Sequence, residues 1–382
     1  MVRALILGAG YVASHLAAGL AKIKKGEVEP YGVPLARYDL PVKIEDIEIL
    51  AAYEVDNAKV GKTLYDVAVE VFKGTGHSVP EELKKITIRR GIHLGSAKVL
   101  PVEAKGLEDE VGIKEAIERL VREWCELRPD VFVNIITTEE AGKVESKEEF
   151  VEKALKGELS ATQTYAYAVA EYVKRCGRAA FVNAIPTPVA NSPGIVEYFR
   201  EVGAVLFGDD GATGATPLTA DLLEHMAERN RRVLFVVQFN IGGNTDFLAL
   251  TDPKRNAMKE TTKSSMVEDI LGYDVPHFIK PTGYLEPLGD KKYVAMHLEY
   301  ISFGGFKDSI YINARINDSP ALAGMLTDLI RLGEIAIDRG VAGTVYEVNA
   351  FFMKKPGPEG SRNIARSHAY LKLLEWLGLS RY

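Results

Sequence analysis

The chain has 382 residues, a length that favours two domains, or one large domain that carries an insertion, over a single hydrophobic core. Hydrophobic residues make up 47% of the chain and charged residues 26%, which are ordinary values for a folded globular protein. The formal net charge of −6 excludes the broad basic surface that nucleic-acid-binding proteins carry.

Signals for metal sites, disulfides and membranes are weak. Cys125 and Cys176 are too few for a disulfide framework and lack C-x-x-C spacing. The seven histidines form no cluster with metal-ligand spacing, so we do not expect zinc. The sequence has no run of 18 apolar residues and no signal-peptide pattern, so we expect a cytoplasmic protein that binds neither membranes nor nucleic acid.

The N-terminus predicts a strand, a tight turn and a helix in direct succession. Ala4 to Leu7 is a short apolar run, typical of a buried parallel strand. Gly8-Ala9-Gly10 follows, and apolar residues then recur at helical spacing until Gly26. This pattern is that of a dinucleotide-binding unit.

Strands and helices then alternate along the chain, which predicts a parallel, doubly wound sheet of the Rossmann type. Three prolines between Pro30 and Pro41 indicate an irregular excursion before the second strand. The predicted elements are strand Ile47–Tyr53, helix Ile113–Leu127, strand Val131–Ile136, helix Ala161–Arg175, strand Ala179–Ala184, strand Val205–Phe207 and helix Leu218–Arg229.

The pattern changes after Arg232, where β-rich segments with glycine-containing turns predict an inserted α+β domain. Its strands are Val233–Asn240, Tyr293–Ser302 and Ser309–Asn317. Helices resume at Ala321–Asp338, which Gly340 would cap, and at Asn363–Leu377. We therefore predict a Rossmann domain over 1–216 and 321–382, interrupted by an inserted domain over 217–320.

The predicted cofactor is NAD, and the glycine turn is the first segment of the chain expected to contact it. Gly8 permits the turn, Gly10 lets the backbone approach a pyrophosphate, and Tyr11 and Val12 begin the helix whose N-terminus faces it. We choose Asp56 for the ribose hydroxyls, with Glu54 as the competing candidate. An acid at this place favours NAD over NADP because it repels a 2′-phosphate.

Two further segments place polar groups after strands. Asn134, Thr137 and Thr138 end a buried strand, where open α/β sheets bind ligands, although the two threonines could equally cap a helix. The loop 208–217 packs three glycines, two carboxylates and two hydroxyls between a strand and a helix. It is either a tight connecting turn or a loop that contacts the nicotinamide end of the cofactor or the substrate.

Glycines, amides, acids and lysines also recur beyond residue 240. Asn240 to Asp246 again follows a strand, and Lys259 and Lys263 stand four residues apart, so a helix would present them on one face. Lys354 follows Ala350-Phe351-Phe352-Met353, a run that resembles a strand. Spacing alone favours solvent-exposed lysines, and only the neighbouring motifs argue for a site.

Taken together, these segments resemble the short prokaryotic myo-inositol-1-phosphate synthases (inositol-3-phosphate synthases). The resemblance runs through nearly the whole chain and rests on these motifs: GAGYVAS, NIITTE, SATQTYAYA, GDDGATGATP, NIGGNTDF, KETTKSSMVEDIL, GDKKYVAM, NDSPAL and AFFMKKP. In that family a Rossmann domain is split by a catalytic and tetramerisation domain, so the resemblance implies a homotetramer.

The resemblance also implies the reaction. The family converts glucose 6-phosphate to 1D-myo-inositol 3-phosphate without net redox change: NAD+ accepts a hydride from C5, the ketone enolises, an intramolecular aldol step closes the ring, and the hydride returns. Several ammonium groups suit this chemistry, because both the oxidation and the ring closure build oxyanions and the substrate carries a phosphate.

The roles of individual residues are implied by matching motifs. Lys259 and Lys354 would lie near the C5 oxygen, whereas Lys263 and Lys292 would hold the phosphate and stabilise the enolate or aldol oxyanion; Lys291 is the alternative to Lys292. Residues expected to orient these groups are Asp210, Asn240, Asp246 and Asp318. From the 208–217 loop, Asp209 and Gly211 are expected to contact the cofactor. Family members differ in whether they need a divalent or monovalent cation, and the sequence contains no ligand cluster that decides this.

Two alternatives remain at this stage. An ordinary NAD(P)-dependent sugar-phosphate dehydrogenase or epimerase would explain the Rossmann unit but would leave the lysine series unused. A non-catalytic NAD-binding sensor or scaffold would have no need of lysines opposite the nicotinamide.

Overall fold

This computed structural model describes residues 1–98 and 100–381, and the side chains of residues 258–265 lie outside the described part. The described strands are β1 (Val2–Leu7), β2 (Ile47–Glu54), β3 (Thr87–Arg90), β4 (Val131–Asn134), β5 (Ala180–Asn183), β6 (Val205–Phe207), β7 (Arg232–Gly242), β8 (His277–Tyr284), β9 (Lys291–Ile301), β10 (Lys307–Asn317) and β11 (Gly343–Thr344).

Helices cover both faces of one sheet and one face of a second. They are α1 (Tyr11–Lys24), α2 (Leu64–Val71), α3 (Leu107–Val111), α4 (Ile113–Leu127), α5 (Lys147–Lys156), α6 (Ala161–Cys176), α7 (Pro193–Val202), α8 (Thr216–Glu228), α9 (Thr245–Ala249), α10 (Pro253–Leu271), α11 (Asp318–Asp338), α12 (Tyr346–Phe352) and α13 (Arg366–Leu377).

The first sheet is parallel and has the strand order β11-β6-β5-β4-β1-β2-β3. The chain builds outward from β1 in one direction through β2 and β3, then returns and builds in the other direction from β4. This is the doubly wound Rossmann order, and it confirms the predicted fold class. The strand order reverses between β1 and β4, which opens a crevice at their carboxyl ends.

Alternation along the strands produces a separate apolar core on each face of this sheet. In β1, Ala4 and Ile6 face the core that contains α1 and α11, whereas Leu5 and Leu7 face the core that contains α4 and α6. Because both faces are buried, β1 is almost continuously apolar, as its sequence predicted.

The second sheet has the order β10-β9-β7-β8, with β7 parallel to β8 and antiparallel to β9. Helices α8 and α10 cover one of its faces, where Leu223, Val267, Val236 and Leu298 form a small core. Its strands span residues 232–317, within the segment predicted to be inserted. The exact division at 216/217 and 320/321 remains a prediction.

Helix α11 joins the two sheets. It begins at Asp318, directly after the edge strand β10, and its middle packs against the seven-stranded sheet through buried Leu326 and Ile330. Buried Asp328 accepts a hydrogen bond from the Leu35 backbone N–H at 2.7 Å, which attaches the proline-containing excursion to this helix.

One predicted element has the wrong type. Ala350 to Met353 was expected to resemble a strand, but the run belongs to helix α12 and to the residue that follows it. Short apolar runs fit a buried helix as well as a buried strand, so periodicity does not separate the two. The other predicted elements are present, with ends that differ by a few residues.

The two cysteines are bonded to each other. Cys125 near the end of α4 and Cys176 at the end of α6 form a disulfide whose Cα atoms lie 5.6 Å apart. One such bond is not a framework, but it does link two helices on the same face of the first sheet.

Across the described residues, the helices are all too short or too polar to cross a membrane.

Opening the disulfide tests its contribution to stability. The bond joins positions 51 residues apart. On the chain-entropy model, closing a loop of this size raises the free energy of the unfolded chain by about 4 kcal/mol. We expect Cys176→Ser to lower the free energy of unfolding by about 2–4 kcal/mol, measured by urea denaturation. Unmodified protein in dithiothreitol is the control and should lose the same amount; a stability unaffected by either change would contradict the bond.

Candidate active site

A cleft of about 240 Å³ lies at the carboxyl ends of β1 and β4. This is the place where the strand order of the sheet reverses, and open α/β sheets bind ligands there. The cleft brings together these predicted residues: Gly8, Gly10, Tyr11, Val12, Asp56, Thr137, Thr138, Asp210, Gly211, Asp246, Lys292, Asp318 and Lys354.

The glycine turn lies directly against the end of β4. Gly8 has a φ of +104°, and a Cβ built there would lie 2.8 Å from the Ile135 carbonyl oxygen, so this position requires glycine. A Cβ built on Gly10 would meet none of the described atoms within 4 Å. Gly10 therefore faces open space at the N-terminus of α1, where a pyrophosphate would be accommodated.

Both candidate acids for a ribose line the cleft near the end of β2. Glu54 is the last residue of β2, and its Oε2 accepts a hydrogen bond from the Ala9 N–H at 3.2 Å. Asp56 lies two residues further on, and its Oδ1 accepts from the Ala58 N–H at 2.9 Å. Lys59 Nζ lies 3.4 Å from Glu54 and 3.8 Å from Asp56. Lys59 was not predicted, because a lysine in this polar stretch resembles an exposed one.

Asn134 is the last residue of β4 and Thr138 follows the strand, but the two face different surroundings. Asn134 is fully buried below the cleft, and its amide donates to Thr162 Oγ1 at 3.2 Å and to Asn183 Oδ1 at 2.9 Å. Thr138 lines the cleft and donates to Asp246 Oδ1 at 2.9 Å. The Thr138 hydroxyl thus connects the end of β4 to α9.

The neighbouring carboxylates Asp209 and Asp210 point in opposite directions. Asp209 lies outside the cleft lining, and its oxygens accept hydrogen bonds at 2.8–3.1 Å from Asn183 Nδ2, from Asn191 Nδ2 and from the N–H groups of residues 189–191. Burial raises its pKa to about 6. The structure therefore gives Asp209 the role of holding the 188–191 loop, not the predicted contact with the cofactor.

Asp210 turns toward the cleft, with a φ of 64° that is rare outside glycine, asparagine and aspartate. Its Oδ1 accepts a hydrogen bond from Lys354 Nζ at 3.0 Å, and both side chains are almost fully buried. The Lys354 N–H also donates to the Asp210 carbonyl oxygen at 2.6 Å. The charged pair therefore sits on two segments that are themselves bonded through their backbones.

A second lysine–aspartate pair lies in the same cleft. Lys292 Nζ donates to Asp318 Oδ1 at 2.9 Å, and Thr213 Oγ1 donates to the same oxygen at 3.1 Å. Lys291 is exposed, because adjacent residues of a strand point to opposite faces of the sheet. The structure thus favours Lys292 over Lys291 as the lysine of the site.

Asn240 does not line the cleft, and two further predicted residues have side chains outside the described part. Asn240 is buried in β7, where its amide donates to the Lys280 carbonyl oxygen at 3.1 Å and its Oδ1 accepts from Gln238. Lys259 and Lys263 belong to α10, one turn apart, and their side chains lie outside the described residues.

Asp290 bonds two residues of the cleft lining, Asn244 and Ser319, and was missed in the sequence. Its carboxylate accepts hydrogen bonds from Asn244 Nδ2 at 3.1 Å and from the Ser319 N–H and hydroxyl at 2.9 and 2.6 Å. It therefore connects the loop before α9 to the N-terminus of α11, next to Asp318. The sequence did contain a signal that could have identified Asp290, because this residue directly precedes the lysine pair of the GDKKY segment.

Clusters that could hold a metal ion lie elsewhere. In the part of the chain that the structure describes, they are His93, Glu108 and Asp109, and Glu224, Glu228 and His368. Neither group is part of the cleft lining.

Comparisons with known proteins point to one family. The family model for myo-inositol-1-phosphate synthase matches residues 214–319. An inositol-3-phosphate synthase of Corynebacterium glutamicum is 27% identical over 98% of each chain. The crystal structure of an inositol-3-phosphate synthase from Caenorhabditis elegans is 16% identical, covers 98% of this chain and 85% of its own, and has a TM-score of 0.80, which shows a common fold.

A further solved structure is more similar over the full length. The crystal structure of a myo-inositol-1-phosphate synthase-related protein from Thermotoga maritima has a TM-score of 0.93 and is 57% identical, covering 100% of this chain and 99% of its own. The chain therefore belongs to the myo-inositol-1-phosphate synthase family.

Proposed function

We propose that this protein is an NAD-dependent isomerase that converts D-glucose 6-phosphate to 1D-myo-inositol 3-phosphate (1L-myo-inositol 1-phosphate), the first step of inositol biosynthesis. One observation carries the proposal: the Gly8–Gly10 turn and the pairs Lys354–Asp210 and Lys292–Asp318 line the same cleft. Family membership adds independent support.

The residues that line the cleft suit a dinucleotide. The glycine turn and the first turn of α1 would hold the pyrophosphate, and Asp56 or Glu54 would bind the ribose hydroxyls. Thr137 and Gly211 would contact the nicotinamide end of the cofactor. A bound nicotinamide would accept a hydride from C5 of the sugar and return it later, so that no net oxidation occurs.

The lysine–aspartate pairs suit the proton transfers and the oxyanions of this reaction. We assign Lys354, with Lys259, to the C5 hydroxyl, whose proton leaves as the ketone forms and comes back at the end. Lys292, with Lys263, would bind the phosphate and stabilise the negative oxygen of the enolate and of the aldol step. Asp210 and Asp318 would hold their lysines in place through the bonds of 3.0 and 2.9 Å.

A turnover assay separates this function from the alternatives. Glucose 6-phosphate is incubated with the protein and substoichiometric NAD+, and the products are followed by phosphorus NMR and by NADH absorbance. Inositol phosphate formed without lasting NADH supports the proposal. Accumulated NADH would indicate a dehydrogenase instead, and binding of NAD+ without turnover would indicate a sensor. Running the assay with EDTA, potassium or ammonium tests whether the protein needs a divalent or a monovalent cation.

The adjacent lysines of β9 provide a matched pair of variants. We expect Lys292→Ala to lower kcat/KM by ~10²-fold or more, because a lost contact to a developing oxyanion costs this much. Lys259→Ala and Lys263→Ala should act similarly and leave NAD+ affinity nearly intact. Lys291→Ala, the control, should retain the rate of the unmodified enzyme; equal losses at 291 and 292 would overturn the assignment.

Two glycines of the turn distinguish cofactor binding from folding. Gly10→Ala adds a methyl group in open space, so we expect an unchanged melting temperature and at least ~10-fold weaker NAD+ binding by calorimetry, since the methyl group occupies space needed by the pyrophosphate. Gly8→Ala should instead lower the melting temperature, because its Cβ would collide with the Ile135 backbone. Unaltered NAD+ affinity in Gly10→Ala would place the cofactor elsewhere.

We further propose that the 217–320 segment is a catalytic and oligomerisation domain and that the protein is a cytoplasmic homotetramer. The face of the second sheet opposite α8 and α10 is aromatic and exposed: Tyr311 is 68% exposed and Phe239 44%. His297 stacks on Tyr311 with ring centroids 4.3 Å apart. An aromatic face of this kind favours burial against another copy of the chain.

A charge on this face should disrupt the assembly. We expect Phe239→Asp combined with Tyr311→Asp to shift the protein from tetramer to smaller species in light scattering coupled to gel filtration, because a carboxylate buried in an interface lacks a partner. Leu155→Asp, on a similarly exposed apolar residue of α5, is the control and should leave the mass unchanged. A double variant with the same mass as the unmodified protein would exclude this face as the interface.

A further inference from the structure

Arg255 is a buried arginine whose position neither the motifs nor the proposed chemistry explains. It lies in the first turns of α10, four residues before Lys259, and is only 6% exposed. Its guanidinium donates to two backbone carbonyl oxygens, one of Thr138 and one of Ser96, the latter at 2.6 Å.

The two acceptors belong to the dinucleotide side of the cleft. Thr138 follows β4 and lines the cleft, and its hydroxyl also holds Asp246. Ser96 lies in the loop after β3 and lines the cleft as well. One side chain of α10 thus connects the helix that carries two of the proposed catalytic lysines to two loops that would contact the cofactor.

The surroundings of Arg255 favour a positional role. Burial lowers its pKa. Four nearby carboxylates have the opposite, smaller effect and raise the pKa: Glu139, Asp252, Asp246 and Glu140. The atoms that it contacts directly are neutral carbonyl oxygens, whose directions are set by the backbone. A planar guanidinium reaches two such acceptors at fixed angles, which the single ammonium of a lysine does not do.

We propose that Arg255 is a positioning residue that couples occupation of the dinucleotide part of the cleft to the placement of α10 and its lysines. Cofactor contacts with the loops of Thr138 and Ser96 act on α10 through the guanidinium. Linkage requires the effect to be reciprocal, so a sugar phosphate held by α10 strengthens cofactor binding equally. The lysine roles in this inference rest on the proposed function.

The variant Arg255→Lys tests this coupling, with Arg339→Lys as a matched control. Arg339 also donates to two backbone carbonyl oxygens, those of Trp376 at 2.6 Å and Leu377 at 3.1 Å, but outside the cleft. We expect Arg255→Lys to lower kcat by about 10²-fold with little change in KM, because a small displacement of catalytic groups costs this much. Arg339→Lys should keep the kcat of the unmodified enzyme.

Calorimetry supplies a readout that a general loss of stability would not alter. The affinity for glucitol 6-phosphate, a non-cyclising substrate analogue, is measured with and without NAD+. We expect NAD+ to increase this affinity at least fivefold in the unmodified protein and in Arg339→Lys, and less than twofold in Arg255→Lys. Full coupling in Arg255→Lys, or none in the unmodified protein when both ligands bind, would overturn the proposal.

Hydrogen exchange keeps this test separate from that of the proposed function. If the unmodified protein binds NAD+ but not the sugar phosphate, the proposed function fails. Amide exchange in the α10 backbone still tests whether Arg255 couples NAD+ binding to this helix. NAD+ should slow amide exchange in residues 253–271 of the unmodified protein and not in Arg255→Lys. If that variant does not fold, the unmodified protein alone decides, because no effect of NAD+ on these amides would refute the coupling.

Discussion

The cleft depends on the burial of charged pairs, above all Lys354 with Asp210. A buried charge is costly unless it is paired and hydrogen-bonded, so each partner requires the other at close range. The two residues are 144 positions apart, and the backbone brings them together. The Asp209 N–H donates to the Lys355 carbonyl oxygen at 2.8 Å, beside the Lys354 to Asp210 backbone bond. The C-terminal segment must therefore return to the first sheet, where β11 pairs with β6.

The reversal of strand order supplies the place where such pairs face a ligand. Gly8 and the end of β4 approach so closely that no side chain fits between them, and beyond them the crevice widens into the cleft. Helix α11 then extends from this cleft into the core of the first sheet. Asp318 at its start and Leu326 in its middle consequently belong to one helix, which connects the cleft to the packed core.

Position in the fold separates residues that look alike in the sequence. Asp209 and Asp210 are neighbours, yet one holds a loop and the other faces the cleft, because the left-handed backbone at Asp210 turns the chain. Lys291 and Lys292 differ for a simpler reason, the alternation of side chains along a strand. The strand rule is accessible from the sequence once β9 is recognised, whereas the turn at Asp210 is not.

Local patterns determined the fold class, the glycine turn and the order of most strands and helices, since apolar periodicity and glycine spacing act over a few residues. With the motif resemblance, they also indicated site residues, most of which line the cleft. Tertiary structure decided the rest: that Ala350–Met353 is mainly helical, that Asn134 and Asn240 are buried outside the cleft lining, and that Arg255 joins three segments. These features depend on contacts between residues more than a hundred positions apart or on burial in the assembled core, which no short window of sequence contains.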